Sequence, residues 1–443
     1  MFRQKEDGSV RATKTIAQPD LNLVTSQSFP TAAKFKRRSA SACVMSVPQS
    51  DLTLDMAELY LANLQRDLPF ADLGSDGCRI WLGDQTTVSL KMLRRELSEL
   101  FRLAGQQAPQ PPAQRSAILQ DGAPEAVLGA CAKLNLTGKH DAGELTNWVS
   151  GVLAASERDQ RRRIQTPGAL SALIHALDPL GLPTMAVVWL MQKGWQINPE
   201  LVNERTRWTV GQVLSLMVTL RCDGLVLSRH IRRAYRTSSR PSVVAARLSL
   251  LRCDEAVEAS HDTEHLKGVL QRLEAHAPKM LRSVSRRNEF LANPSPERSS
   301  SFQRLPEWLP PGLQDNLFLP RCGMTSSKVC PVNTEAHAII FGACLTLLKA
   351  VSAHEFRRDL DMLVDNFVFA RNICDGFFPS ETRAEMARGE TLAVSALHRH
   401  MLGGFGPSSV TFVGFDGDTI SLTRRDREAR VGVSRAGMSM LPL

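Results

Sequence analysis

The chain is long enough to bury a full hydrophobic core, and its composition favours helices. It has 443 residues, of which 43% are hydrophobic and only 6% aromatic, which argues against a sandwich or a barrel. The longest apolar run, residues 338–351, is shorter than a bilayer span and contains Lys349. Nine cysteines without a CxxC pair indicate reduced thiols rather than a disulfide or zinc framework. We expect a soluble, intracellular protein without a signal peptide or a transmembrane segment.

The net charge of +9 is concentrated near the start of the sequence. Residues 1–50 hold eight Lys/Arg and three Asp/Glu, a balance of +5, in a Ser/Thr-rich context that predicts a basic, disordered arm. A second basic run at residues 229–240 lacks zinc-ligand spacing and interleaved aromatics. It is interpreted as a solvated helix face, and no nucleic-acid partner is expected.

Apolar periodicity predicts a succession of helices after the arm. Helices are predicted at 51–66, 88–105, 124–135, 143–156, 167–178, 184–197, 338–351 and 385–402. Two alternating apolar runs around Asp416-Gly417 predict a small β-hairpin near the C-terminus. A proline- and serine-rich stretch near residue 300 divides the chain into an N-terminal helical region, 51–300, and a C-terminal one, 301–443. The predicted fold class is mainly α.

Two polar motifs lie in the C-terminal region. Glu335-Ala336-His337 opens the long apolar helix, and Arg371-Asn372 ends the next helical pattern. With Cys330-Pro331, and with Arg66-Asp67-Leu68-Pro69-Phe70 far upstream, they resemble the vanadium-dependent haloperoxidases of the acid phosphatase/vanadium haloperoxidase superfamily. The resemblance implies a fold of packed helical bundles with the small C-terminal hairpin.

The resemblance also implies roles for individual residues. In that family a buried vanadate is held by lysine, arginine and serine side chains and by a glycine N–H, while one histidine is the acid/base and another ligates vanadium. Carried over, His337 is the acid/base candidate, and Arg371 and Lys193 are cofactor-binding candidates. Four family positions are substituted here: the serine by Glu335, the glycine by Ala336, the second arginine by Asn198 and the axial histidine by Phe377.

Each candidate also has a purely structural interpretation. His337 fits a satisfied core histidine at the start of an apolar helix, and Lys193 an exposed residue at a helix end. Arg371 fits an ion-pair partner of Asp365 or Asp375. His398 or His400 is an alternative source of a metal ligand.

The resemblance implies peroxide-dependent halide oxidation at a vanadate site. Because the axial histidine and several anion donors are missing, we expect that activity to be weak or absent, with no metal ligand at Phe377. Phosphatase activity is not expected either, because by the same resemblance it would need the histidine that Phe377 replaces. The alternative is a non-catalytic helical scaffold or binding protein that retains the fold. The expected partners are a small anion, vanadate or phosphate, and further copies of the chain in a homo-oligomer.

Overall fold

The computed structural model describes the greater part of the chain from residue 51 onward. The described residues are 51–83, 85–110, 112, 114–121, 164–195, 197, 208–230, 241–253, 261–292, 316–319, 336–373, 377–403, 408–424, 432–435 and 438–442. The predicted basic arm and the predicted helices at 124–135 and 143–156 lie outside them. So do five residues discussed above: Asn198, Cys330, Pro331, Glu335 and Asp375.

The N-terminal part combines helices with one β-hairpin. Its elements are α1 (Leu52–Gln65), α2 (Phe70–Leu73), β1 (Arg79–Gly83), β2 (Thr86–Ser89) and α3 (Leu90–Leu103). The Asp51 carboxylate accepts the Thr53 N–H at 2.9 Å and so caps the first turn of α1. β1 and β2 pair antiparallel, although no strand was predicted here from the sequence.

Helices make up the described middle of the chain. They are α4 (Ala117–Asp121), α5 (Pro167–Ala176), α6 (Gly181–Gln192), α7 (Val210–His230), α8 (Pro241–Arg252), α9 (His261–His276) and α10 (Pro278–Ala292). α5 has Pro at its first position, and the Thr166 hydroxyl accepts the Ala169 N–H at 3.2 Å. Both features favour a helix start.

The C-terminal part contains the most buried helix and a small sheet. Its elements are α11 (His337–Val351), α12 (His354–Ile373), α13 (Pro379–Gly403), β3 (Ser408–Val413), β4 (Thr419–Arg424), β5 (Gly432–Arg435) and β6 (Met438–Pro442). β3 and β4 form the predicted hairpin, with Gly417 at φ +81° in the turn. β5 and β6 extend it to a four-stranded antiparallel sheet in the order β3-β4-β5-β6.

α11 and α13 approach each other at two glycines. A Cβ on Gly389 would lie 2.2 Å from the Ile339 carbonyl oxygen and 2.7 Å from the Ala343 nitrogen. A Cβ on Gly342 would lie 2.8 Å from the Met386 carbonyl oxygen. The two backbones therefore touch where neither helix has a side chain.

The hydrophobic core does not divide at residue 300, where the sequence suggested a boundary. One buried cluster joins α5, α6 and α7 to α11, α12 and α13. The other joins α1, α3, α8, α9 and α10 to Leu317, Leu319 and Phe378. Both clusters draw on both sides of the proposed boundary, and all the described residues lie in one compact unit. Helices distant in sequence therefore share each core, and the division of the chain near residue 300 stays a prediction.

One described helix is long and apolar enough to cross a bilayer, which the sequence analysis did not anticipate. Residues Val210–Ser228 of α7 have a mean hydropathy of 1.5, and 39% of them are buried. The core helix of a soluble protein passes the same test of length and composition. α7 packs closely on α11, since a Cβ on Gly224 would lie 2.7 Å from Ile340.

Candidate functional site

The structure brings His337 and Arg371 to the same end of a helical hairpin. α11 and α12 are joined by a short turn, and Phe341 stacks on Phe367 with ring centroids 3.8 Å apart. The His337 ring centroid is 6.4 Å from that of Phe367, and Arg371 follows Phe367 by one helical turn. His337 is 5% exposed and Arg371 is 2% exposed, so both side chains lie in the interior.

Arg371 forms its ion pair with a carboxylate that the sequence analysis did not single out. Its Nη2 donates to Glu385 Oε2 of α13 at 2.8 Å, and the Glu385 side chain is only 13% exposed. The interpretation of Arg371 as an ion-pairing residue is therefore supported, but the observed partner differs from Asp365. Several acids near Arg371 in sequence were equally plausible, and only the packing of α13 on α12 selects Glu385.

Phe377 covers one face of the same guanidinium group. The Arg371 Cζ lies 3.9 Å from the centroid of the Phe377 ring, which is close for a cation–π contact. Phe377 is itself 5% exposed. Phe377, which the sequence resemblance assigns to the axial-ligand position, therefore packs on the arginine, and its side chain has no atom that ligates a metal.

Ala336 lies at the start of α11 and is fully buried. Its carbonyl accepts the Ile340 N–H at 2.9 Å, while its side chain makes no capping hydrogen bond. The helix N-terminus beside His337 thus has no side-chain cap from this residue.

Lys193 lies at the opposite end of α11 from His337. The isolated bridge between Ile197 and Ser352 places this segment beside the residue that follows α11. α11 has 15 residues, a length of about 22 Å at 1.5 Å per residue. Lys193 is half exposed and pairs with Asp121 at 3.4 Å, so the structure does not bring it together with His337 and Arg371.

Gly194 explains why the helix α6 ends before Lys193. With φ +74°, it donates its N–H to Met191 O at 3.1 Å, and Trp195 donates to Leu190 O at 2.8 Å. This pair of bonds is a Schellman motif, which ends a helix at a left-handed glycine. Lys193 is therefore the C-cap residue that follows α6, in agreement with its structural interpretation as a residue at a helix end.

His398 and His400 are also remote from Arg371. They follow Glu385 by 13 and 15 residues along α13, roughly 20 Å at the helical rise. The His400 ring contacts Trp208 with centroids 4.2 Å apart, and burial lowers its pKa. Across the described residues, no group of three or more His, Cys, Asp or Glu is arranged to hold a metal ion.

A second polar cluster, formed by the buried Glu58 and Asn372 with the half-exposed Arg383, links α1 to α12 and α13. Glu58 accepts hydrogen bonds from Arg383 at 2.8 and 3.0 Å and from Asn372 Nδ2 at 3.2 Å. Burial raises the pKa of Glu58 above its ordinary value, and Arg383 opposes that rise. The cluster adjoins the Arg371 pair in sequence, through Asn372 and Arg383.

The raised pKa of Glu58 predicts a pH-dependent contribution to stability. The folded protein holds this proton to a higher pH than the unfolded chain, so the contribution is present below about pH 4.3, the ordinary glutamate pKa, and is lost as the pH rises above it. Relative to Glu58→Gln, the wild-type protein should therefore become progressively less stable toward neutral pH. Urea unfolding of both proteins across that range measures this trend.

The exposed Glu99 provides a control of opposite sign. A side-chain hydrogen bond from Arg102 is the main cause that lowers the pKa of Glu99. Its contribution is present above the unfolded pKa and is lost as the pH falls, so Glu99→Gln should show the reverse trend. If Glu58→Gln and Glu99→Gln changed the pH dependence of the free energy of unfolding in the same direction, the raised pKa assigned to Glu58 would be wrong.

Comparison with known proteins shows a similarity of structure and none of sequence. No protein-family model matches this sequence, and no curated protein matches it. Among solved structures, the chain is similar to the second vanadate-dependent bromoperoxidase (AnII) of Ascophyllum nodosum, which is homohexameric. The TM-score is 0.51 at 13% identity, over 88% of this chain and 74% of that one. The chain has the fold of a vanadate-dependent bromoperoxidase.

The bromoperoxidase fold confirms the predicted class: mainly α, with a C-terminal β-hairpin. At 13% identity the likeness extends to the fold alone. The chemistry of this chain must be argued from the residues around Arg371.

Proposed function

We propose that this chain is a haloperoxidase-fold protein without vanadate chemistry, and that it acts as a non-catalytic binding protein. The observation that carries the proposal is the environment of Arg371. Its guanidinium group is paired with Glu385 at 2.8 Å and covered by Phe377 at 3.9 Å. A carboxylate and a phenyl ring thus occupy the space around a cation that the resemblance assigns to an oxyanion.

The described residues do not fit a vanadate at this position. A buried oxyanion requires several charge-assisted donors, and the first candidate, Arg371, already has a carboxylate partner. The second, Lys193, lies at the other end of α11, half exposed and paired with Asp121. Phe377 supplies no ligand atom. His337 can donate or accept a proton, but proton transfer alone does not oxidise a halide.

The assembly of the bromoperoxidase suggests a further part of the proposal. That protein is homohexameric, and we retain the sequence-based expectation that this chain also forms a homo-oligomer. A binding protein needs no vanadate for this, because subunit association depends on the outer surface rather than on the interior around Arg371.

The unmodified protein should neither bind vanadate measurably nor brominate an activated diketone. Titration calorimetry with orthovanadate and a bromination assay with peroxide, bromide and vanadate measure the two properties. Phosphate should likewise give no heat, because it presents the same oxyanion to the same paired arginine. Vanadate-dependent bromination by the unmodified chain would overturn the proposal.

A repaired variant tests whether Phe377 and Glu385 are the cause. Phe377→His with Glu385→Gln exposes a face of Arg371 and removes the competing carboxylate. Together with Glu335→Ser and Ala336→Gly, these changes should give measurable vanadate affinity. The matched control carries only Glu335→Ser and Ala336→Gly, and it should still show no measurable binding of vanadate. Equal binding by the two variants would show that Phe377 and Glu385 are not responsible.

A further inference from the structure

A cavity of about 280 Å³ lies between α1, α3, α12, α13 and the turn of the β3–β4 hairpin. α12 contributes Asp365, Phe369 and Asn372 to its lining, whereas Phe367 of the same helix packs on α11. The cavity is therefore on a different face of α12 from the face that packs on α11 near His337. Its volume is near the lower end of ligand pockets, which begin at about 300 Å³.

Three buried polar atoms of the lining residues have no hydrogen-bond partner among the residues that the structure describes. They are Gln65 Nε2, Arg94 Nε and Asn372 Oδ1. Gln65 is 1% exposed and Asn372 is 2% exposed, so bulk water does not satisfy them. A buried polar group without a partner is costly, and here two donors and one acceptor of this kind surround a single cavity.

Arg94 forms no ion pair within the described residues. One of its Nη atoms donates to the carbonyl of Leu73, a neutral acceptor. Burial lowers the pKa of Arg94, although Asp76 opposes that shift. The cavity therefore presents a partly desolvated cation in need of an anion.

The rest of the lining is mainly apolar, with Leu61, Leu97, Val368, Phe369 and Phe415 among its members. Such a surface suits a flat hydrocarbon body. The lining also includes the carboxylates of Glu58, Asp365 and Asp416. Glu58 is paired with Arg383, and the other two carboxylates disfavour a second negative charge on a ligand. An anion that enters should therefore carry a single charge.

The unpaired atoms of Asn372 and Gln65 lie at different heights along the axis of α1. Asn372 donates to Glu58, and Glu58 precedes Gln65 by seven residues, about 10 Å along the helix. The unpaired acceptor of Asn372 is thus at one end of the cavity, and the unpaired donor of Gln65 is toward the other. A ligand that satisfies both has an acceptor and a donor at opposite ends.

We propose that this cavity binds a small monocarboxylic acid with an aromatic body and a hydrogen-bond donor at its far end. The carboxylate pairs with Arg94 and Gln65, the ring contacts the apolar wall, and the donor reaches Asn372. The proposal is independent of vanadate, because none of these residues belongs to the Arg371 pair.

Titration calorimetry of the full chain with 4-hydroxyphenylacetate as the probe tests this site. We expect saturable binding at one site per chain. 4-Hydroxyphenylacetamide lacks the charge and phenylacetate lacks the hydroxyl donor, so each should bind more weakly. Absence of binding by 4-hydroxyphenylacetate at millimolar concentration, or equal binding of the acid and the amide, would overturn the proposal.

Variants locate the binding to the cavity. Arg94→Met should weaken 4-hydroxyphenylacetate binding roughly tenfold to a hundredfold, the equivalent of one charge-assisted hydrogen bond. Gln65→Leu should weaken it less. Each substitution removes an unpaired polar atom, while Arg94→Met also removes the hydrogen bond to the Leu73 carbonyl. Circular dichroism checks that both variants fold.

Arg95→Met is the matched control, because Arg95 is adjacent in sequence but exposed and outside the lining. It makes the same change of charge and should leave the affinity unchanged. An equal loss in the Arg94 and Arg95 variants would mean that net charge alone attracts the acid, and the assigned site would be wrong.

Discussion

Gly389→Ala is expected to destabilise the protein by about 3 kcal/mol or more, at the upper end of overpacking effects. The added methyl group would lie 2.2 Å from the Ile339 carbonyl oxygen and 2.7 Å from the Ala343 nitrogen. Both are backbone atoms of the most buried helix, so no side-chain rotation relieves the contact. Urea unfolding followed by far-ultraviolet circular dichroism measures the loss as a lower midpoint.

Gly268→Ala is the control for this substitution. Gly268 is also helical, but a Cβ there would meet nothing within 4 Å. The change should stabilise the protein by roughly 0.5–1 kcal/mol, because alanine restricts the unfolded chain and favours the helix. If both substitutions shifted the midpoint in the same direction, the close contact between α11 and α13 would be refuted.

Glu385→Ala is expected to cost about 3–5 kcal/mol, because it leaves the charge of Arg371 buried without its carboxylate. The effect arises from desolvation of the guanidinium group, which is 2% exposed. Removing both charges, with Arg371→Met and Glu385→Leu together, should recover most of the loss. Urea unfolding of the wild type, Arg371→Met, Glu385→Leu and the double variant Arg371→Met/Glu385→Leu completes a double-mutant cycle.

A surface ion pair provides the comparison for this cycle. Glu264 pairs with Lys267 at 2.8 Å, but the two side chains are 77% and 50% exposed. Glu264→Ala should therefore change the midpoint very little, since exposed pairs contribute little. If the double variant Arg371→Met/Glu385→Leu were as unstable as Glu385→Ala, the loss of stability would come from packing rather than from the buried charge of Arg371.

The sequence predicted those elements whose signals are local. Residues 338–351 are almost uniformly apolar, and they form α11, which is buried along its whole length. The Asp416-Gly417 turn was visible because a hairpin of this type needs a positive φ, and Gly417 has φ +81°. The strand pair β1–β2 was not predicted, since its strands are only five and four residues long.

The candidate site was less predictable because it depends on contacts between helices. His337 and Arg371 were identified, and the antiparallel packing of α11 and α12 brings them to one end. The partner Glu385 was missed because nothing in its neighbourhood distinguishes it from other helical acids. Lys193 was grouped with the site from its local motif, although the Schellman turn at Gly194 ends α6 at the other end of α11.

The two glycines between α11 and α13 also have a mechanical consequence. Backbone that touches backbone leaves no layer of side chains to re-pack, so neither helix can slide along the other without a steric clash. A shift of one residue, about 1.5 Å, would bring the contact at Gly389 onto a residue that has a Cβ. The pair should behave as a single rigid unit, and any change in the volume of the adjacent cavity must come from its other walls, which α1, α3, α12 and the turn of the β3–β4 hairpin supply.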